Sequence, residues 1–192
     1  MLAAVYLLLA MLLMGQQLIN KPVMSLRTGG PVGTVVDIII NPNNLKIEGW
    51  FVNDSTSKRR AVLLSQDIRD IIDQGFVVND HEGLSDVDEL VRLKPVLDIG
   101  FELIGKSVIT KAKQKLGKVN DYAFDKDGFV IQKLYVNQSI VKSFSGGAAI
   151  VDRNQIIEIN RRYIIVHEAT VPGRATVVTP ASAGSAMSPA QP

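Results

Sequence analysis

An internal repeat constrains this chain more than any other feature. Leu18-Ile19-Asn20-Lys21-Pro22-Val23 aligns with Leu103-Ile104-Gly105-Lys106-Ser107-Val108. Val32-Gly33-Thr34-Val35-Val36-Asp37 then aligns with Leu116-Gly117-Lys118-Val119-Asn120-Asp121, with one residue dropped from the intervening loop. The same register carries Ile47, Trp50 and Val52 onto Ile131, Leu134 and Val136. Later, Leu63-Leu64-Ser65-Gln66-Asp67-Ile68 leads to Phe76-Val77-Val78, and Ile150-Val151-Asp152 with Ile156-Ile157 leads to Tyr163-Ile164-Ile165-Val166. Two units of roughly 80 residues suit a pair of small domains; a solenoid needs three or more units to bury its core.

Each unit reads as short β-rich runs separated by turn residues. In the first, the runs are Pro22–Leu26, Val32–Ile40, Lys46–Val52, Ala61–Leu64 and Phe76–Val78. Asn41-Pro42-Asn43-Asn44 marks a turn in the first copy, and Asp127-Gly128, a pair suited to φ > 0, marks the aligned turn in the second. Helical turns are expected near Gln66–Ile72 and Arg153–Ile157. Ser85 is expected to cap a short linker helix through Leu93, stopped by Pro95. The resulting division is an apolar segment at 1–14, a first copy at 15–80, a linker at 81–99, a second copy at 100–168 and a disordered tail at 169–192.

The apolar segment carries no charge and is shorter than the roughly 20 residues of a membrane span. It also lacks the basic start and cleavage site of a signal peptide. A misassigned start, a short anchor and a helix packed on the protein itself all remain open for it. Cysteine is absent, which excludes disulfides, thiolate catalysis and cysteine metal sites, and fits a cytoplasmic setting. Net charge is only +2, but it is uneven. Residues 1–98 hold 9 Lys and Arg against 12 Asp and Glu, whereas residues 99–192 hold 12 against 7. The second half is the better candidate for an anionic partner.

The leading Leu-Ile-x-Lys-x-Val, the Gly-x-Val-x-Asp strand, the hairpin and the closing Ile-rich strand, present twice, resemble the PRC-barrel family. Members of that family resemble the cytoplasmic domain of the reaction-centre H subunit and the C-terminal domain of a bacterial ribosome maturation factor. The resemblance covers residues 15–80 and 100–168. It implies a mainly β fold of two tandem small barrels, used for protein contact, with no shared catalytic residue. The chain departs from both relatives: it has neither the maturation factor's separate N-terminal domain nor the H subunit's full membrane helix with a single barrel.

Few residues suggest chemistry. The two histidines, His81 and His167, follow the last strand of each copy and read as surface residues. Asp125-Lys126-Asp127-Gly128 fails as a calcium loop, because the first and twelfth loop positions would be Ala123 and Leu134. Gly29-Gly30 and Gly146-Gly147 lack the residues of a phosphate loop and read as turns. Gly33, Asp37, Gly117 and Asp121 are repeat-matched and read as structural, with the carboxylates satisfying backbone donors at a bend. Trp50, aligned with Leu134, reads as core or inter-copy packing. The distinctive feature is Lys106, Lys111, Lys113, Lys115 and Lys118, a candidate contact for an anionic partner, without the interleaved aromatics that stack nucleobases.

The expected function is therefore that of a non-enzymatic adaptor or assembly module for another protein. The alternatives are a ribosome- or RNA-associated factor and, if residues 1–14 form an anchor, a membrane-tethered scaffold. No cofactor, metal or small-molecule ligand is expected.

Overall fold

The computed structural model describes residues 12–137 and 149–167. Among them the chain is mainly β. Fourteen strands of the described residues belong to one hydrogen-bonded sheet, and the only α-helix among these residues is a single turn of four. The apolar segment is described only from Leu12, Gly146-Gly147 fall outside the described residues, and so does the tail from 169 onward.

The repeat is reproduced strand for strand. The first copy holds β2 (Pro22–Ser25), β3 (Pro31–Asn41), β4 (Lys46–Asp54), β5 (Arg60–Leu64), β6 (Ile68–Ile72) and β7 (Gly75–Val78). The second holds β9 (Ser107–Thr110), β10 (Lys115–Asp125), β11 (Val130–Asn137), β12 (Ala149–Asp152), β13 (Ile156–Ile159) and β14 (Tyr163–Val166). The pairing agrees as well. β2 runs parallel to β7 and β9 runs parallel to β14, while the other ladders within each copy are antiparallel. Even the irregularities recur. A bulge falls between Val35 and Asp37 and again between Val119 and Asp121, and a second falls between Ile39 and Ile40 and again between Ala123 and Phe124. Bulges re-aim a strand, so matched bulges give the two copies the same curvature.

The helical turns expected near Gln66–Ile72 and Arg153–Ile157 are shorter than the sequence suggests. Ser65–Asp67 and Arg153–Gln155 form 3-10 turns, and the isoleucines after them enter β6 and β13. Pairing with β7 and β14 overrides the local pattern, as β-branched residues on a half-buried ladder favour. The linker differs too. Ser85 lies in β8 (Leu84–Asp86), captured by the edge of β5. The cap of the following 3-10 turn is Asp86, whose Oδ1 accepts the Asp88 N–H at 3.2 Å. Pro95 opens α1 (Lys94–Leu97) instead of ending a helix, a position where its missing N–H costs nothing.

The two copies meet about a local twofold. Lys46 of β4 pairs antiparallel with Val130 of β11, its own repeat equivalent. The bonds around this pair are reciprocal: Ile47 N–H donates to Phe129 O at 2.7 Å, and Ile131 N–H donates to Leu45 O at 3.0 Å. Leu45 and Phe129 are both left-handed, with φ of 57° and 53°. The aligned turns thus place positive φ on an apolar residue, not on the Asp127-Gly128 pair. That conformation costs about 1–2 kcal/mol outside glycine. Burial offsets it: Leu45 is buried, and Phe129 packs on Trp50 with centroids 5.7 Å apart.

One core runs through both copies. Trp50 is fully buried and lies 4.9 Å from Phe76 of its own copy and 6.2 Å from Phe124 of the other. The leading segments are exchanged across the twofold. β1 (Leu12–Met14) pairs with Ala123–Asp125 of β10, while Leu93, at the start of α1, packs with Ile39 and Val62 of the first copy.

Candidate functional site

The five candidate lysines do not share one role. Lys106 spans the β9 side of the second copy, where its Nζ donates to Arg161 O at 3.1 Å and lies 4.8 Å from the Phe101 ring centroid. Lys21, its repeat equivalent, donates to Asp73 O at 2.8 Å in the matching turn. The repeated lysine is therefore a brace between the strand-leading segment and the β6–β7 or β13–β14 turn. It fixes the fold before it offers a charge.

The other four are presented outward. Lys111 and Lys113 sit in the β9–β10 turn, which is held by Lys113 N–H to Thr110 O at 2.8 Å and by Lys111 N–H to Val166 O at 3.0 Å. Lys113 is left-handed, with φ of 63°, and Gly29 takes that place in the first copy. Lys115 and Lys118 project from β10 beside a shallow groove of about 450 Å³ lined also by Gly117, Asn120 and Asn137. All four are exposed, and none has a carboxylate within ion-pair distance among the described residues.

Arg161 and Arg162 add cations beside Lys106 and Lys118, at the other end of β9 from Lys111 and Lys113, and the sequence reading omitted them. They lie far along the chain, but β14 runs parallel to β9 with Tyr163 opposite Ser107, which puts their turn next to Lys106. Asn160 Oδ1 accepts both the Arg162 and Tyr163 N–H groups, at 2.9 and 2.8 Å, and so shapes the turn. Tyr163 is 40% exposed, adding an aromatic surface to a lysine run that has none in sequence. The signal that would have found these residues is the register of the closing strand, not local composition.

The first copy's equivalent end has no such charge. Leu26 stands for Lys111, its N–H donating to Val78 O as Lys111 N–H does to Val166 O, and the turn's one cation, Arg27, faces Asp80 at 3.9 Å. Pro31 and Thr34 stand for Lys115 and Lys118, and Asp73 and Gln74 stand for Arg161 and Arg162. One scaffold thus carries a basic end and a near-neutral one.

Gly33 and Gly117 are close-approach positions. A Cβ on Gly33 would lie 2.4 Å from Val52 Cγ1, and one on Gly117 would lie 2.0 Å from Asn137 O. Asp37 and Asp121 sit at the matched bulges, where each Oδ1 accepts the next residue's N–H at 2.8 Å, from Ile38 and Tyr122. Asp121 also receives the Gln16 N–H at 3.1 Å. These roles are structural, since a bulge leaves a donor that a short carboxylate can satisfy.

His81 meets Asp54, with Nε2 2.9 Å from Oδ1. Asp54 also accepts from Thr56 N–H at 2.7 Å and Ser57 Oγ at 2.8 Å. Burial alone would raise its pKa, but the bonds from His81, Thr56 and Ser57 outweigh this and hold the carboxyl at about 2. The carboxylate lies between the histidine and the serine, so no base faces a nucleophile. The cluster ties the β4–β5 loop to the segment after β7. His167 follows β14, and its backbone N–H donates to Gln155 O at 2.8 Å. Asp125 accepts the N–H groups of Asp127 and Gly128, which makes this stretch a hairpin turn. Among the described residues no His, Asp or Glu cluster suits a metal ion, and no helix is long and apolar enough to cross a membrane.

No family model matches the sequence, and no curated protein matches it.

Proposed function

We propose that the two repeats are PRC-type barrels joined as an internal pseudo-dimer, and that the chain is a non-enzymatic adaptor whose working face is the basic end of the second repeat. The partner is a protein presenting an acidic surface. One observation carries this reading. The scaffold is duplicated bulge for bulge, yet Lys111, Lys113, Lys115, Lys118, Arg161 and Arg162 have no cationic counterparts free of carboxylates in the first copy. Fold maintenance does not require charges that one of two equivalent copies lacks. Clustered exposed charge acts chiefly on encounter rate and partner choice.

Capture from the native cell tests the proposal. The wild-type chain is compared with a Lys111→Glu, Lys113→Glu, Lys115→Glu, Lys118→Glu variant at two salt concentrations. The reading predicts that an acidic protein is retained by the wild type, is lost in the variant and weakens as salt rises. A partner set indifferent to both changes contradicts it.

The exposed Tyr163 beside the cations favours a second reading, an RNA- or ribosome-associated factor, because stacking and phosphate contact would coincide there. Recovery of RNA or ribosomal proteins in the same experiment would select it. A membrane-tethered scaffold is a less natural fit for this face. Leu12 lies beside Asp125 at the far end of β10 from Lys115, about 30 Å along an 11-residue strand. An anchor upstream of Leu12 would therefore hold the basic end away from the bilayer.

A further inference from the structure

The two leading segments use their shared repeat positions differently. In the first copy, β1 pairs with β10, Gly15 N–H donates to Tyr122 O at 2.9 Å and Gln16 N–H donates to Asp121 Oδ1 at 3.1 Å, all across the twofold. Gly100 stands for Gly15, and Phe101 for Gln16. Here the chain curls instead of pairing. Gly100 N–H donates back to Leu97 O at 3.0 Å, at the end of α1, and its φ of 57° is the left-handed conformation that closes a helical turn. A cleft of about 690 Å³ lies between this turn, the first copy's hairpin at Pro42 and Asn43, Lys106, and the β13–β14 turn at residues 159–161. That volume suits a small organic ligand.

The cleft joins an apolar wall to two cations. Ile99 and Phe101 form the wall, and Ile99 is 43% exposed. Lys106 Nζ donates one N–H to Arg161 O at 3.1 Å and lies 4.8 Å from the Phe101 ring centroid, which holds it at this wall with two donors left. Arg161 is exposed and has no carboxylate within ion-pair distance among the described residues. The one carboxylate of the lining, Asp98, has its own cation, with Oδ1 3.4 Å from Lys94 Nζ. In the first copy Asp73 stands where Arg161 does, so the equivalent corner beside Lys21 carries the opposite charge. We infer that this cleft binds a small organic carboxylate with a flat apolar body. Arg161 and Lys106 hold the anionic end, and the body lies against Ile99 and Phe101. The guanidinium fork matches a carboxylate geometrically. A neutral apolar molecule would leave both cations unused, and a bare inorganic anion would leave Ile99 in water.

Titration of the isotope-labelled full chain with 2-naphthoate, followed by NMR, tests the inference. Saturable shifts are expected at residues 42–43, 98–101, 106 and 159–161, with a Kd below about 1 mM. The neutral isostere 2-naphthalenemethanol and the ringless anion acetate should each bind at least about tenfold more weakly. Ile99→Glu sets a like charge against the probe at an exposed position and should weaken naphthoate at least about tenfold. Arg161→Gln should bring naphthoate close to its neutral isostere. Equal binding of naphthoate and the alcohol by the wild type, shifts that do not saturate, or naphthoate binding unchanged by Ile99→Glu would overturn the inference. A Lys111→Glu, Lys113→Glu variant, altered at the other end of β9, should bind naphthoate as the wild type does. Loss of binding in that variant would show attraction by bulk charge and also overturn the site. The acidic-partner capture described above reads the lysine face separately, so the failure of either proposal is visible without the other.

Discussion

Tyr122 is fully buried, and its hydroxyl meets no acceptor among the described residues. Burial, with Asp121 and Asp37 nearby, pushes the phenol well above its ordinary range. A buried unpaired hydroxyl costs about 1–3 kcal/mol. Tyr122→Phe is therefore expected to leave stability unchanged or raise it by up to about 2 kcal/mol in urea unfolding. A large loss would mean that the hydroxyl has a partner. Gly117→Ala acts in the opposite direction, since its Cβ would press on Asn137 O at 2.0 Å. A cost of about 1–3 kcal/mol is expected. Asp54 supplies a pH dependence. Its folded pKa of about 2 lies below the ordinary 3.8, so its contribution is complete above about pH 5 and is lost as pH falls from there through about 2. The loss should be about 1–2 kcal/mol, and it should vanish in Asp54→Asn when unfolding is followed against pH.

The bulges show what an element asks of its residues. Asp37 and Asp121 hold equivalent positions, yet Asp37 serves one backbone donor and Asp121 serves two, one of them from Gln16. Asp121→Ala should cost about 1–2 kcal/mol and Asp37→Ala less, near 0.5–1 kcal/mol, by thermal unfolding. Asp37 also faces Arg60 at 3.8 Å, an exposed pair worth little, so equal costs would contradict this ranking. The strands bearing these residues were legible, because β-branched runs broken by Asn-Pro or Asp-Gly leave few other readings. The structure places β2, β3, β4, β5 and β7 within a residue or two of the sequence expectation. β6 and β8 were not legible. Ile68-Arg69-Asp70-Ile71-Ile72 has no clean alternation, and Leu84-Ser85-Asp86 is a strand only because the β5 edge is there to receive it. The four lysines of the candidate site were legible as a run. Its arginines depend on a parallel strand pairing that no local pattern encodes.

At the scale of the molecule, the exchanged leading segments and the shared Trp50–Phe124–Phe129 cluster make the two repeats one body. A single cooperative transition is expected for the whole chain, and fragments divided near residue 99 should fail to fold separately, as circular dichroism would report. Duplication fixes the geometry twice, while charge distinguishes the ends. The direct test of that distinction is a titration of isotope-labelled chain with poly-glutamate, followed residue by residue by NMR. The account predicts shifts at 111–118 and 161–163 that diminish with salt, and none at 27–34 or 73–75. Equal shifts at both ends, or shifts elsewhere alone, would contradict it.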